Sequence, residues 1–144
     1  MTDVLDAFAL VALARDEPAA AEVEALLRRG EAVMTATNLG EALDQLHRVR
    51  GLPIEELQSQ LTPLIGGAVV LLAVDAQLIW RAVELRGRHY QRRSSELSLA
   101  DCVALAAAEP GVDRLATADA ALAAAARTEG VELVGLPASD GRRP

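Results

Sequence analysis

The chain of 144 residues has the size of one domain, and its 51% hydrophobic content leans on Ala, Leu and Val, with Phe8, Trp80 and Tyr90 the only aromatics. All 14 basic residues are arginine, which excludes chemistry that needs a lysine, and the lone Cys102 excludes an internal disulfide or a thiolate cluster. A net charge of −7 excludes a broad basic face for nucleic acid, so phosphate would have to be approached through bound cations.

Residues 4–6 form a short apolar strand that leads into a helical pattern at Phe8, Leu10, Val11 and Leu13, followed by a second helix over 19–27 before Gly30. Residues 32–35 are a second strand. Thr37 or Asn38 then caps a helix that carries Leu39, Ala42, Leu43, Leu46 and Val49 on one face. Pro53 fits the first turn of the next helix, which Gly66 and Gly67 close. Residues 69–74 are a continuous apolar strand of the kind that helices cover on both faces, and Asp75 caps a helix running to Leu85. Residues 86–96, rich in arginine and serine, break the pattern as a basic loop. A helix over 98–108, a strand at 114–116, a helix over 119–127 and a strand at 131–134 follow. The domain is expected over residues 1–136, with 137–144 as a flexible tail. No apolar run reaches the roughly 18–20 residues of a membrane helix, and the acidic start lacks the basic region of an export signal, so a cytoplasmic location is expected.

Strands alternating with helices predict an α/β fold, a parallel sheet with helices on both faces, in which the carboxyl ends of the strands share one edge where ligands bind. Asp6 ends the first strand, Glu41 follows the second, Asp101 lies in the first turn of the helix begun by Ser98, and Asp119 follows the fourth strand. Each taken singly reads as a helix cap, and Asn38-x-x-Glu41 and Ser98-x-x-Asp101 have the spacing of capping boxes. Together at one edge they repel one another unless a cation lies between them. Hard oxygen donors without paired histidine or thiolate select Mg²⁺ or Mn²⁺ over zinc, and such a site suits phosphodiester hydrolysis. His47 and His89 are read as surface residues and Cys102 as a buried small hydrophobe. A receiver domain would need a late lysine, and an aspartyl-nucleophile phosphatase would need an acid where Phe8 stands.

Four segments carry a family resemblance: Val4-Leu5-Asp6-Ala7-Phe8-Ala9-Leu10, Thr35-Ala36-Thr37-Asn38-Leu39-Gly40-Glu41-Ala42-Leu43, Leu97-Ser98-Leu99-Ala100-Asp101-Cys102 and Leu115-Ala116-Thr117-Ala118-Asp119. In this order they resemble the motifs of PIN-domain ribonucleases, above all the VapC branch, the toxins of bacterial toxin and antitoxin pairs. The resemblance runs from Val4 to about Val134. It implies a five-stranded parallel sheet of order 3-2-1-4-5, Mg²⁺ or Mn²⁺ held by Asp6, Glu41, Asp101 and Asp119, and endonucleolytic cutting of RNA. Thr117 matches the small hydroxyl residue beside the last acid, with Asn38 and Ser98 as supporting residues. A cognate antitoxin whose C-terminal segment blocks the cleft and a homodimer are implied as well. Ala120 and Ala121 stand where relatives often place larger or basic residues. Arg86, Arg88, Arg92 and Arg93 are the candidate RNA contacts, as a basic loop gripping the backbone. The alternative is a non-catalytic PIN-like module that binds RNA or protein.

Overall fold

A computed structural model describes residues 1–109, 111 and 113–144. In chain order the elements are β1 (Asp3–Leu5), α1 (Ala7–Arg15), α2 (Ala20–Arg28), β2 (Ala32–Thr35), α3 (Ala36–Asp44), α4 (Ile54–Leu61) and β3 (Val69–Leu72). Then come α5 (Ala76–His89), α6 (Leu99–Ala108), β4 (Arg114–Thr117), α7 (Ala120–Thr128) and β5 (Glu132–Gly135). The five strands form one parallel sheet of order β3-β2-β1-β4-β5, as the resemblance implies.

Parallel pairing leaves each face to be covered by crossover helices, and two apolar clusters do so. On one face Leu5, Met34 and Ala116 pack under α1, α2, α3 and α4 through Leu10, Val23, Ala42 and Leu57. On the other, Val4 and Leu115 pack under α5, α6 and α7 through Leu85, Val103, Leu105 and Leu122. Neighbouring residues of one strand thus serve opposite cores, the period-2 rule of a strand.

β1 carries a buried aspartate at its start and another directly after its end. Asp3, at the amino edge, is paired with Arg114 and Arg29. Asp6, at the carboxyl edge, has no cationic partner among the described residues. A buried charge needs compensation, so the two ends of one strand pose different electrostatic problems.

The structure corrects four local expectations. Helix α3 is capped by Thr35, the last residue of β2, rather than by Thr37 or Asn38; its Oγ1 accepts from the Asn38 amide at 3.1 Å. The end of that helix widens into a π turn over Gln45–Val49. Strand β3 stops at Leu72 and lies at the sheet edge, so Val70 and Leu71 are exposed instead of covered on both faces. Helix α5 runs on to His89, which places Arg86 and Arg88 on a helix instead of in a loop. Arginine is a good helix former, and Trp80 and Val83 on the same helix face solvent, so no covered apolar stripe marked its length.

Residues 137–144, the expected flexible tail, turn back on the domain in the structure. Ala138 donates to Arg142 O at 2.7 Å, Ser139 Oγ donates to Glu17 at 2.6 Å, and Arg143 pairs with Glu22 on α2. No described helix is long and apolar enough to cross a membrane.

Candidate metal centre

The carboxyl ends of β1, β2 and β4 lead straight into helices, so a residue at or just after the end of each strand doubles as a cap. Asp6 caps α1, its Oδ1 accepting from Ala9 N at 3.1 Å. Asp119 caps α7 in the same way, accepting from Leu122 N at 2.7 Å. Asp101 sits one turn inside α6, in a capping box with Ser98: the Ser98 amide donates to Oδ2 at 2.8 Å and the Ser98 hydroxyl accepts from Asp101 N at 3.0 Å. Three helix N-termini therefore converge on one edge, each with its positive end stabilising an acid.

These side chains meet in one pocket of about 310 Å³, lined by Asp6, Glu41, Asp101 and Asp119 together with Ala7, Phe8, Gln45, Ala118, Ala138 and Ser139. No arginine or histidine lines it. Burial pushes the Asp6 carboxyl up to about 7, against the hydrogen bonds from Thr117 and Ala9, and the charges of Asp101 and Asp119 add to the rise. Glu41 is raised by its half-burial and by Asp101, and Asp101 by its burial and by Asp119. Desolvated carboxylates that raise one another in a pocket without a fixed cation are what a bound dication would stabilise.

The supporting residues fix this arrangement. Thr117 Oγ1 donates to Asp6 Oδ2 at 2.5 Å and accepts from Asp119 N at 3.0 Å, joining two of the acids through one hydroxyl. Buried Asn38 accepts from Thr35 Oγ1 at 2.5 Å and donates through Nδ2 to Ala100 O at 3.1 Å, which ties the helix of Glu41 to the helix of Asp101. Ser98 sets the Asp101 rotamer through the capping box.

Among the described residues no group of three His, Cys, Asp or Glu side chains is already arranged as an ion cage. Asp101 and Asp119 each commit one oxygen to a helix amide, and both Asp6 oxygens accept a hydrogen bond. A carboxylate oxygen has two acceptor positions, so a cap does not remove it from a ligand set. The donor set, four carboxylates with no nitrogen or sulfur ligand, fits Mg²⁺ or Mn²⁺.

The four arginines fare differently. Arg86 donates Nε to Leu97 O at 3.0 Å, just before Ser98, and lies 4.7 Å from the centre of the Tyr90 ring. Arg88 is committed to Glu129, the residue that ends α7, a helix length of roughly 14 Å from the Asp119 cap. Arg92 and Arg93 are exposed in a turn bridged by Gln91 and Ser95. None of the four lines the acidic pocket.

His47 bonds to Leu52 O, His89 to Glu129, and neither lines the pocket. Cys102 is buried, and burial first, then the Asp101 charge, pushes its thiol up to about 11. Sequence reasoning missed Gln45 and Ser139 as lining residues and Thr35 as a cap. Gln45 stands one helical turn after Glu41, a spacing that could have found it; nothing local to Ser139 signals its place.

A family model described as "PIN domain" matches residues 4–135. No curated protein matches the chain. Among solved structures, the chain is similar to Mycobacterium tuberculosis VapC20, a Sarcin-Ricin loop cleaving toxin. Identity is 21%, the TM-score is 0.68, and the match covers 86% of this chain and 95% of that one. It is also similar to FitAcB from Neisseria gonorrhoeae, at 21% identity and a TM-score of 0.62, covering 92% of this chain and 96% of that one. At such identities these likenesses speak for the fold.

Proposed function

The chain belongs to the PIN domain family, and from that premise we propose that it is a Mg²⁺- or Mn²⁺-dependent endoribonuclease, the toxin of a toxin and antitoxin pair. The observation that carries the reading is one pocket into which Asp6, Glu41, Asp101 and Asp119 all open with no fixed cation to balance them. The structural likeness to VapC20, a Sarcin-Ricin loop cleaving toxin, supports RNA as the substrate class.

In this reading the four carboxylates hold the metal. When bound, the cation would neutralise phosphate charge and activate water for attack on phosphorus. Thr117 keeps Asp6 and Asp119 in register, and its donated hydrogen bond favours the ionised, ligating form of Asp6. Asn38 holds the Glu41 and Asp101 helices at a fixed separation, and Ser98 holds the Asp101 rotamer. Phe8 and Ala138 wall the pocket beside the acids. The nuclease domain is assigned to residues 1–136, in the cytoplasm. Its partners are RNA, a second copy of the chain, and an antitoxin whose C-terminal segment enters the acidic cleft, which favours basic residues in that segment.

The test is incubation of the purified chain with structured RNAs in Mg²⁺, in Mn²⁺ and in EDTA, alongside Asp101→Asn. Metal-dependent internal cuts that Asp101→Asn abolishes are expected. Cutting that survives in EDTA, or in the variant, overturns the reading.

A further inference from the structure

The acidic pocket has one wall without a charge. Besides the four acids, its only polar lining residues are Gln45 and Ser139. They arrive from distant parts of the chain: Gln45 stands one helical turn after Glu41, where α3 opens into the π turn, and Ser139 lies in the segment that follows β5. π turns are rare and recur at functional sites; here Arg50 N donates to Gln45 O at 3.0 Å and closes the turn.

One carboxylate ties the two parts together. Ser139 Oγ donates to Glu17 Oε2 at 2.6 Å, and the other Glu17 oxygen accepts from Arg50 Nη2 at 3.4 Å. The segment is pinned further on by Arg143, which pairs with Glu22 and donates to Gly135 O at 2.5 Å. These bonds give Ser139 a fixed polarity. A hydroxyl has one proton and two lone pairs, and here the proton is committed to a carboxylate that can only accept. Toward a ligand in the pocket, Oγ is therefore an acceptor. Gln45 is half-buried, and among the described residues its side-chain amide has no hydrogen-bond partner, so it is left to donate.

An acceptor is the wrong partner for a phosphate, whose oxygens also only accept. The donor that a nucleic-acid backbone carries next to its phosphate is the ribose 2′-hydroxyl, the group that marks RNA against DNA. We infer that Ser139 and Gln45 hold the 2′-hydroxyl of the ribose beside the phosphate that is cut, Ser139 Oγ accepting its hydrogen bond and Gln45 Nε2 donating to its oxygen. The inference rests on the nuclease reading and names the chemical mark by which the substrate is chosen. A volume of about 310 Å³ lies at the low end of the ~300–1,000 Å³ typical of small-molecule clefts, a size that suits a phosphate with its sugar. DNA leaves both protein groups unpaired, and a site built to hydrogen-bond a hydroxyl rejects the analogue that lacks it.

The experiment takes one single-stranded RNA, cut at a mapped position by the Mn²⁺-loaded full chain, and the same strand with a single 2′-deoxy or 2′-fluoro residue at that position. It measures kcat/KM on the three strands for the wild type, Ser139→Ala, Ser139→Thr and Gln45→Met. Fluorescence anisotropy with Ca²⁺ in place of Mn²⁺ reads binding of the same strands, and circular dichroism checks each fold. One neutral hydrogen bond is worth on the order of tenfold. The wild type should therefore prefer ribose to 2′-deoxy by about a hundredfold. Ser139→Ala or Gln45→Met should cut that preference to about tenfold, and Ser139→Thr should keep it. The 2′-fluoro residue accepts but cannot donate, so it should behave as 2′-deoxy does. An equal loss on all three strands in both Ser139→Ala and Gln45→Met, with the ribose preference intact, makes the wall merely structural and overturns the inference while the nuclease reading stands. A 2′-fluoro strand cut as fast as RNA overturns it too. If Ser139→Ala does not fold, Gln45→Met and the 2′-fluoro strand decide by the same criteria. If the wild-type chain cuts no RNA, the nuclease reading fails and anisotropy decides alone: a ribose preference that Ser139→Ala removes supports the inference, and equal binding of the strands, or a preference that both variants retain, overturns it.

Discussion

Replacing Asp6 with Asn in the metal-free protein should make it more stable, by an amount that depends on pH. The Asp6 carboxyl is 3% exposed and rises from its ordinary 3.8 to about 7, chiefly through burial. A raised carboxyl pKa favours the protonated form in the folded state. Its stabilising contribution is therefore complete below about 3.8 and is lost as pH rises through about 7. At ~1.4 kcal/mol per pH unit, the penalty borne by the wild type at pH 8 reaches on the order of 4 kcal/mol. Asn avoids that penalty and keeps both local bonds: its Oδ1 can cap Ala9 N, and its Nδ2 can donate to the Thr117 hydroxyl, which accepts as readily as it donates. Allowing for relaxation around the charge, a net gain of roughly 2–3 kcal/mol is expected at pH 8, or about 5–10 °C in Tm for a chain of this size. Urea unfolding followed by far-ultraviolet circular dichroism in EDTA, at pH 4, 6 and 8, measures it. The gap between variant and wild type should be near zero at pH 4 and grow to pH 8. A variant less stable than wild type at pH 8, or a gap independent of pH, would refute the electrostatic account of the pocket.

Mn²⁺ must displace the Asp6 proton, so its affinity, read by calorimetry, should climb by nearly tenfold per pH unit up to about 7 and then level off; a flat profile from pH 5.5 to 8 would count against Asp6 as a ligand. Thr117→Val removes a hydrogen bond that lowers the Asp6 pKa, so the pH at which metal affinity levels off should move upward, while an unmoved profile would deny Thr117 that role. Asn38→Ala leaves the Ala100 carbonyl unpaired in a buried site and should cost about 2 kcal/mol by urea midpoint, with Mn²⁺ affinity weakened at least severalfold. Lost stability with Mn²⁺ affinity unchanged would show that the tie between α3 and α6 does not serve the pocket.

The architecture was legible because β1, β2 and β4, the three central strands, are apolar runs ended by an acid or hydroxyl residue. Val4-Leu5-Asp6 and Leu115-Ala116-Thr117 reveal both a strand and the edge at which it stops. The pocket was legible for the same reason: an acid directly after a strand is both a cap and a resident of the functional edge. What periodicity cannot express is which strand lies outermost. Val70 and Leu71 have the composition of a doubly covered strand and are exposed because β3 has a neighbour on one side alone. The arginines of the last turn of α5 carry helix propensity, but their charge reads as loop when no covered apolar partner accompanies them. Placing Ser139 at the pocket needs the path of residues 137–144 back across the sheet edge, set by Ser139 bonding to Glu17 and Arg143 pairing with Glu22, contacts over more than a hundred residues of chain.

Electron paramagnetic resonance of Mn²⁺ titrated into the purified chain at pH 8 bears most directly on the acidic pocket. Loss of the free-ion signal into a saturable site, abolished by Glu41→Gln or Asp101→Asn and weakened below pH 7, is the predicted result. A free-ion spectrum that the protein leaves unchanged, or a site that both variants retain, would contradict it.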